Sequence, residues 1–265
     1  MRRRVLVVVK TYPTPSSRHQ ETVCTAGITD DGEWVRLYPI RYRYLRQNQQ
    51  FSKFDWIEAD LRPARRDGRP ESHNVESETI RVVDTIPPGE DWAERMRWLR
   101  TGLAVSVESL RRDQAARNRS LGLVRPVAPK FLIKPDPQPS WTIEELDKLK
   151  RDEPQLFDEI ASEGRKPILE KVPYHFVYQF HDDVPECRGH EMRVLDWEVH
   201  QLYRRYQQAP FERMSEKVRA KYQDEFVGRR DLHFVLGTLA DHPATWTIIG
   251  VVPAARSEQL SLDFD

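Results

Sequence analysis

The stretch of the sequence richest in groups that can bind a metal or transfer a proton is residues 180–200, FHDDVPECRGHEMRVLDWEVH. It contains three of the eight histidines and one of the two cysteines. Two residues separate Cys187 from His190, and one of them, Gly189, allows a tight turn from which two ligands can reach one ion. The predicted ligands of a divalent metal, with zinc as the expected ion, are His181, Cys187 and His190. Asp182, Asp183 or Glu186 can add a carboxylate, and the alternative is that the Cys and His side chains only pack and cap.

A second candidate is the pair Asp196 and His200. The apolar spacing predicts one helix of about 19 residues that follows Gly189 and ends at Gln208, which places the two side chains four residues apart on one face. A carboxylate beside a histidine orients the ring and raises its basicity, as general base catalysis requires. We therefore predict Asp196 and His200 as catalytic candidates. The alternative is an exposed row of ion pairs, because Arg193 and Arg204 continue the same face.

The N-terminal part of the chain carries a local positive charge although the protein is formally neutral. Residues 1–70 contain 14 Lys and Arg against 8 Asp and Glu. Within them, residues 41–50 alternate cations with aromatic rings, which is the composition of surfaces that bind phosphates and stack bases. The predicted nucleic-acid-binding residues are Arg41, Tyr42, Arg43, Tyr44 and Arg46, with Arg65, Arg66 and Arg69 in a later loop. The alternative is a short surface helix with solvated arginines.

Composition excludes several classes of protein. Neither GxGxxG nor GxxxxGK[ST] occurs, which argues against a dinucleotide-binding or Walker-type nucleotide enzyme. Two cysteines are too few for a disulfide framework and indicate a reducing compartment, so we expect a cytoplasmic protein. The apolar run at residues 5–9 is too short for a signal peptide or a membrane span, and it predicts a buried strand.

The strands and helices that the sequence predicts around these residues indicate an α+β fold. Asp30-Asp31-Gly32 between two strand-like runs indicates a hairpin, and the alternating residues 171–181 predict a strand. Two apolar runs, 231–239 and 245–252, predict a second hairpin. The predicted parts are a basic, β-rich domain at 1–90 that forms a small barrel or curled sheet, a helical and Pro-rich connection at 91–170, an α/β domain at 171–252, and a flexible tail at 253–265.

The tail ends in Gln259-Leu260-Ser261-Leu262-Asp263-Phe264. This hexapeptide resembles the motif by which bacterial replication and repair proteins bind the DNA sliding clamp. The resemblance covers six residues and leaves the rest of the chain unassigned. It implies that Gln259 hydrogen-bonds at the mouth of the clamp's groove, that Leu262 and Phe264 fill its apolar pocket, and that Leu260 assists. A few apolar anchors on such a peptide carry most of its binding energy.

Three hypotheses for function follow. The first is a bacterial DNA-associated protein that is tethered to the sliding clamp and acts in DNA repair, replication or defence against foreign DNA. The second is a metal-dependent hydrolase that acts on nucleic acid or nucleotides. The third is a structural subunit of a defence or mobile-element complex. The expected partners are the clamp and DNA or RNA, with no membrane association.

Overall fold

A computed structural model describes residues 1–87, 92–150, 166–240 and 242–256. The strands are β1 (Arg2–Lys10), β2 (Thr14–Ser16), β3 (Gln20–Thr29), β4 (Trp34–Ile40), β5 (Asp55–Pro63), β6 (Ser72–Val75), β7 (Arg81–Thr85), β8 (Leu121–Val124), β9 (Val127–Pro135), β10 (Tyr174–His181), β11 (His190–Arg193), β12 (Asp231–Thr238) and β13 (Trp246–Ala254). The helices are α1 (Ala93–Leu99), α2 (Val107–Arg117), α3 (Ile143–Lys150), α4 (Trp197–Tyr206), α5 (Phe211–Arg219) and α6 (Phe226–Arg229), and a π-helical segment, Ala220–Glu225, joins the last two. None of the helices in these ranges has the length and apolar character that a membrane crossing requires.

The N-terminal part is a five-stranded barrel. Its strands pair in the closed order β1-β3-β4-β6-β5-β1, while β2 and β7 extend the sheet at β3 and β5. The predicted hairpin at residues 30–32 is confirmed, since it joins the antiparallel strands β3 and β4. The α+β fold with a β-rich N-terminal barrel is therefore confirmed.

The continuous apolar sequence of β1 is explained by the burial of both faces of the strand. Val5 and Val7 belong to the barrel core, whereas Leu6, Val8 and Val9 pack on the opposite face against the C-terminal part. All five side chains are fully buried. A strand that is buried on both faces loses the usual alternation of apolar and polar residues.

The C-terminal part contains two three-stranded sheets, ordered β11-β10-β9 and β13-β12-β8. The predicted strand at 171–181 is confirmed as β10, and the predicted hairpin at 231–252 is confirmed as β12 and β13. Tyr178, Phe180 and Phe234 form the centre of the core between the sheets, and Tyr178 donates a hydrogen bond to the Tyr222 carbonyl oxygen at 2.6 Å.

The barrel and the C-terminal part share one apolar layer and one buried polar network. The layer combines side chains of β1 and β3 with side chains of β8, β12 and β13. In the network, the Arg36 guanidinium, on β4, donates to the carbonyl oxygen of Ser120 at 2.6 Å and to its Oγ at 2.9 Å. The backbone N–H and hydroxyl of Ser120 in turn donate to the Glu71 carboxylate, each at 2.9 Å. The two parts therefore stabilise each other.

The predicted helix from 190 to 208 is wrong in its first third. His190–Arg193 is a strand, β11, that pairs antiparallel with β10. Gly189 has φ +92°, a conformation that favours glycine and turns the chain back along β10. Helix α4 begins only after Asp196, whose Oδ1 accepts a hydrogen bond from the Glu198 N–H at 2.9 Å. Aspartate is a favoured residue at this capping position, so the sequence did contain the start signal.

Candidate functional site

A buried ion cluster lies where the barrel meets the start of α4. Lys53 Nζ is 2.5 Å from Asp196 Oδ2 and 2.6 Å from Glu198 Oε2. The Asp196 side chain is completely buried, and its Oδ2 also accepts the Val251 N–H at 2.6 Å. Because Asp196 is the N-cap of α4, the helix presents its positive end to this carboxylate.

The electrostatics of the cluster shift several pKa values. Burial alone would raise the pKa of Asp196, but Lys53 and the hydrogen bonds to the carboxylate hold it below its usual value. Burial also opposes the charge of Lys53, yet Asp196 and Glu198 raise its pKa. The pKa of Glu198 is raised, by burial of the carboxyl end and by the adjacent Asp196. Glu198 keeps 45% of its side chain exposed, so it is the member of the cluster that solvent can reach.

A second buried cation, Lys10, lies beside the cluster among aromatic rings. Its Nζ is 3.9 Å from the centre of the Tyr42 ring and 4.8 Å from that of Trp197, and it donates to the Phe51 carbonyl oxygen at 3.1 Å. Burial lowers the pKa of Lys10 to about 8, with a further lowering from Lys53 that Glu198 and Asp196 counteract. This amine therefore loses its proton nearer to neutrality than an ordinary lysine does.

A pocket of about 350 Å³ opens next to these groups. Its walls include the rings of Tyr12 and Trp197 and the guanidinium groups of Arg43 and Arg204, and residues 167–170 form one side. Arg43 forms an ion pair with the buried Glu21 at 2.8 Å and donates to the Pro167 carbonyl oxygen. The pocket thus combines two aromatic rings with two arginines that are each paired with a carboxylate, Arg43 with Glu21 and Arg204 with Glu170, at the boundary between the barrel and α4.

The structure corrects the predicted relation between Asp196 and His200. The Asp196 carboxylate contacts Lys53, and His200 Nδ1 instead donates to the backbone oxygen of Asp196 at 2.8 Å. The His200 ring stacks on Tyr12 with ring centres 4.7 Å apart. Burial lowers the pKa of His200 to about 4. The carboxylate therefore does not raise the basicity of this ring, and His200 supports the wall of the pocket.

His200 is expected to make the protein less stable as the pH falls. Its pKa is lower in the folded protein than the usual 6.5, so its stabilising effect is complete above pH 6.5 and is lost as the pH falls towards 4. Replacing it with asparagine keeps a donor for the Asp196 oxygen and removes the titration. Between pH 7 and pH 5, we expect the free energy of unfolding, measured with urea, to fall by about 2 kcal/mol less in His200→Asn than in the unmodified protein. Equal losses in the two proteins would contradict a buried, neutral His200.

The predicted nucleic-acid-binding residues divide into three groups. Arg41, Arg43 and Arg69 are half-buried and bind internal acceptors: Gln20, Glu21 and Asp67 respectively. Tyr42 and Tyr44 lie in a short 3-10 turn, where Tyr42 donates to Phe51 O and Tyr44 packs under Arg41. Arg46, Arg65 and Arg66 are exposed. The structure brings one member of the predicted set, Arg43, into the pocket.

The predicted metal ligands are only partly brought together. Cys187 and His190 lie side by side, with Sγ 3.4 Å from Nε2. His181, the third predicted ligand, is exposed at the end of β10, and the buried Asp182 takes its place in the group. The reason is strand alternation: Phe180 faces the core, so His181 must face outwards. Asp196 has separate partners, Lys53 and Val251, and does not belong to this group.

Sequence reasoning gave Lys10 and Tyr12 no place in a site with Asp196, and it missed Lys53 and Trp197. The position of Lys10 directly after five consecutive apolar residues was a usable signal, because such a position is buried. Lys53 is 143 residues from its partner Asp196, and nothing local marks it. The predicted clamp-binding residues Gln259, Leu260, Leu262 and Phe264 lie outside the described residues.

Fold and site together define an α+β protein in which a five-stranded barrel is fused to a two-sheet domain, with a polar, aromatic pocket at their boundary. The profile of a family described as "Domain of unknown function (DUF8757)" matches residues 104–264, and the chain belongs to this family. A second profile, "Domain of unknown function (DUF8758)", matches residues 1–101. No curated protein matches the sequence.

Proposed function

We propose that this chain is a bacterial DNA-associated protein that is tethered to the sliding clamp by residues 259–264 and acts in DNA repair, replication or defence against foreign DNA. The observation that carries the proposal is the position of Arg43. This arginine comes from the cation-rich and aromatic segment 41–50 and lines a pocket together with Tyr12, Trp197 and Arg204. Segment and pocket form one continuous candidate surface for a nucleic-acid strand.

The composition of the pocket suits one nucleotide. A volume of about 350 Å³ lies within the range of small-ligand sites. Aromatic rings stack on a base without regard to its sequence. The pocket arginines are already paired with Glu21 and Glu170, so we expect phosphates to bind the exposed arginines outside the pocket. Arg204 donates to the Tyr12 hydroxyl at 2.5 Å, which fixes the ring at the wall of the pocket. A base extruded from a strand could therefore lie against Tyr12 and Trp197.

Three exposed arginines outside the pocket are available to nucleic-acid phosphates. Arg46, Arg65 and Arg66 are exposed, and no ion pair to a carboxylate is found for them within the described ranges. Exposed and uncompensated cations on a barrel are the usual source of salt-dependent, sequence-independent binding. We expect these three residues to supply the non-specific part of the affinity.

Binding of a fluorescent single-stranded DNA, followed by anisotropy, tests the proposal. Trp197→Leu is expected to weaken binding by about 5- to 150-fold, because a stacked base contributes about 1–3 kcal/mol. Trp197→Phe retains an aromatic face and is the matched control, with binding close to that of the unmodified protein. Alanine at Arg46, Arg65 and Arg66 together should reduce the slope of log affinity against log salt by about 2, whereas Arg117→Ala, on α2, should leave it unchanged.

Two results would contradict the proposal in whole or in part. Absence of DNA and RNA binding by the unmodified protein at low salt would overturn it. Equal affinity of Trp197→Leu and Trp197→Phe would remove the pocket from the binding surface while the exposed arginines could still bind phosphate. Circular dichroism of each variant separates loss of binding from loss of fold.

A metal-dependent hydrolase acting on nucleic acid or nucleotides is the second candidate function. The observation in its favour is the grouping of Asp182, Cys187 and His190, whose ligand atoms lie within 4.8 Å of one another. A hydrolytic metal must keep one coordination position for water. The number of protein ligands around this group therefore decides whether it can be catalytic.

A further inference from the structure

The Asp-Cys-His group lies at the turn between β10 and β11 and has the spacing of a tetrahedral metal site. His190 Nε2 is 3.4 Å from Cys187 Sγ and 2.8 Å from Asp182 Oδ2. Around a zinc-type ion, ligand atoms are about 3.6 Å apart for nitrogen and sulfur and about 3.4 Å apart for nitrogen and oxygen. The first distance matches this geometry, and the second requires the His–Asp pair to open by about 0.6 Å.

Glu108, the second residue of α2, lies next to the group but outside the set of ligand atoms that are within 4.8 Å of one another, so its carboxylate must move closer to become a fourth ligand. Its Oε2 is 3.7 Å from His190 Nε2, while its Oε1 accepts a hydrogen bond from Arg111 at 3.0 Å. Arg111 therefore holds the carboxylate with Oε2 turned towards His190. Glu108 lies next to Val107, whose backbone N–H donates to Asp182 Oδ2 at 2.8 Å.

Two oxygens in this group have no hydrogen-bond partner. Among the described residues, neither Asp182 Oδ1 nor Glu108 Oε2 accepts a hydrogen bond, and both atoms are inaccessible to solvent, although the Asp182 side chain is 1% exposed and that of Glu108 is 38% exposed. A buried carboxylate oxygen without a donor costs about 1–3 kcal/mol or more. A cation between these oxygens removes this cost and the repulsion between the two carboxylates at once.

The sulfur of Cys187 is surrounded by donors that suit a thiolate. The backbone N–H groups of Asp182 and Gly189 point to Sγ at 3.2 and 3.4 Å. Backbone donors to sulfur stabilise the negative charge that a thiolate carries when it binds a metal. The positive φ of Gly189 aligns its N–H with the sulfur, and a side chain there would be strained.

We propose that Glu108, Asp182, Cys187 and His190 bind one zinc-type divalent cation in a closed, four-ligand site that fastens the β10–β11 turn to the start of α2. One sulfur, one nitrogen and two oxygens suit a borderline cation such as zinc better than magnesium or calcium, which prefer oxygen alone. With four protein ligands no position remains for water, so the metal is structural. The inference does not depend on nucleic-acid binding, which involves other residues.

Cobalt substitution of the full-length protein tests the site directly. After metal removal and addition of one equivalent of Co²⁺, we expect thiolate-to-cobalt charge-transfer absorption and the intense visible bands of a tetrahedral ion. Cys187→Ser should lose the charge-transfer band. Glu108→Ala should keep that band but change the visible bands, because water replaces the carboxylate as the fourth ligand. Glu186→Gln alters an exposed carboxylate of the same turn and is the matched control, with an unchanged spectrum.

Each outcome either supports or overturns the proposal. No charge-transfer band in the unmodified protein, or less than half an equivalent of zinc retained after loading and dialysis, would overturn it. An unchanged visible spectrum in Glu108→Ala would show a three-ligand, open site and would favour the hydrolase. Melting of the unmodified protein with and without chelator gives an independent readout, since a structural metal raises the melting temperature.

Discussion

Replacing Lys53 with methionine is expected to destabilise the protein by about 3–5 kcal/mol, because it leaves the Asp196 carboxylate buried without a counter-charge. Asp196 is completely buried, and Lys53 Nζ lies 2.5 Å from its Oδ2. Methionine keeps the volume of the lysine stem, so the loss reports the charge and not a cavity. Urea unfolding at pH 7 gives the free energy of unfolding for the comparison.

Lys134→Met is the matched control for this substitution. Lys134 Nζ is also 2.5 Å from a carboxylate, that of Glu191, but both side chains are almost half exposed. An exposed pair of this kind contributes at most about 1 kcal/mol. If the two substitutions lower the free energy of unfolding by similar amounts, the buried Lys53–Asp196 pair does not differ from an exposed ion pair, which would contradict the prediction.

The pH dependence of unfolding and the additional substitution Asp196→Asn test whether the Asp196 charge causes the loss of stability in Lys53→Met. In the unmodified protein the pKa of Asp196 is lowered, so its stabilising effect is present above pH 3.8 and is lost as the pH falls through the folded-state pKa. Without Lys53, burial raises that pKa, and the deficit of Lys53→Met should shrink as the pH falls. Adding Asp196→Asn to Lys53→Met should restore part of the stability, because the buried charge is then absent.

Removing the two apolar anchors of the C-terminal hexapeptide is expected to abolish binding to a bacterial sliding clamp. The substitutions are Leu262→Ala and Phe264→Ala in one chain. Each anchor of such a peptide contributes about 2 kcal/mol or more, so the pair should weaken binding by at least about 1000-fold. The measurement is the affinity of purified clamp for the full-length protein, with a pull-down as a qualitative readout.

The motif supplies its own control. Ser261 and Asp263 occupy the positions at which it tolerates any residue, so alanine at both should leave clamp binding unchanged. DNA binding in the absence of clamp should be the same for both double variants, since the pocket is formed by other residues. Equal clamp affinity of the anchor variant and the control would remove the tether from the proposed function.

Short sequence patterns correctly predicted the turns and strands that depend on neighbouring residues. The Asp-Asp-Gly turn and the alternation in residues 171–181 placed β3, β4 and β10 correctly. The segment His190–Arg193 was assigned to a helix because its pairing with β10 is a tertiary contact that overrides a short sequence pattern. Asp196, a residue type that favours the N-cap position, marks the correct start of α4 in the sequence.

The candidate sites were predictable in proportion to how close their residues lie in the sequence. The Cys187-x-x-His190 spacing located the proposed metal site, and strand alternation in β10 would have replaced His181 with Asp182. Glu108 and Lys53 were beyond reach, because each acquires its role from a partner more than 70 residues away. Arg43 was identified by its neighbours, but its position in a pocket depends on α4 and residues 167–170.

The apolar layer shared by β1, β3, β8, β12 and β13 has an evolutionary consequence. The two matched segments, 1–101 and 104–264, lie on opposite sides of that layer. A gene encoding only one segment would yield a protein with a large apolar face open to water, which invites aggregation. We therefore expect the two segments to be inherited together, and any relative that has lost one to have acquired another chain that covers the same face.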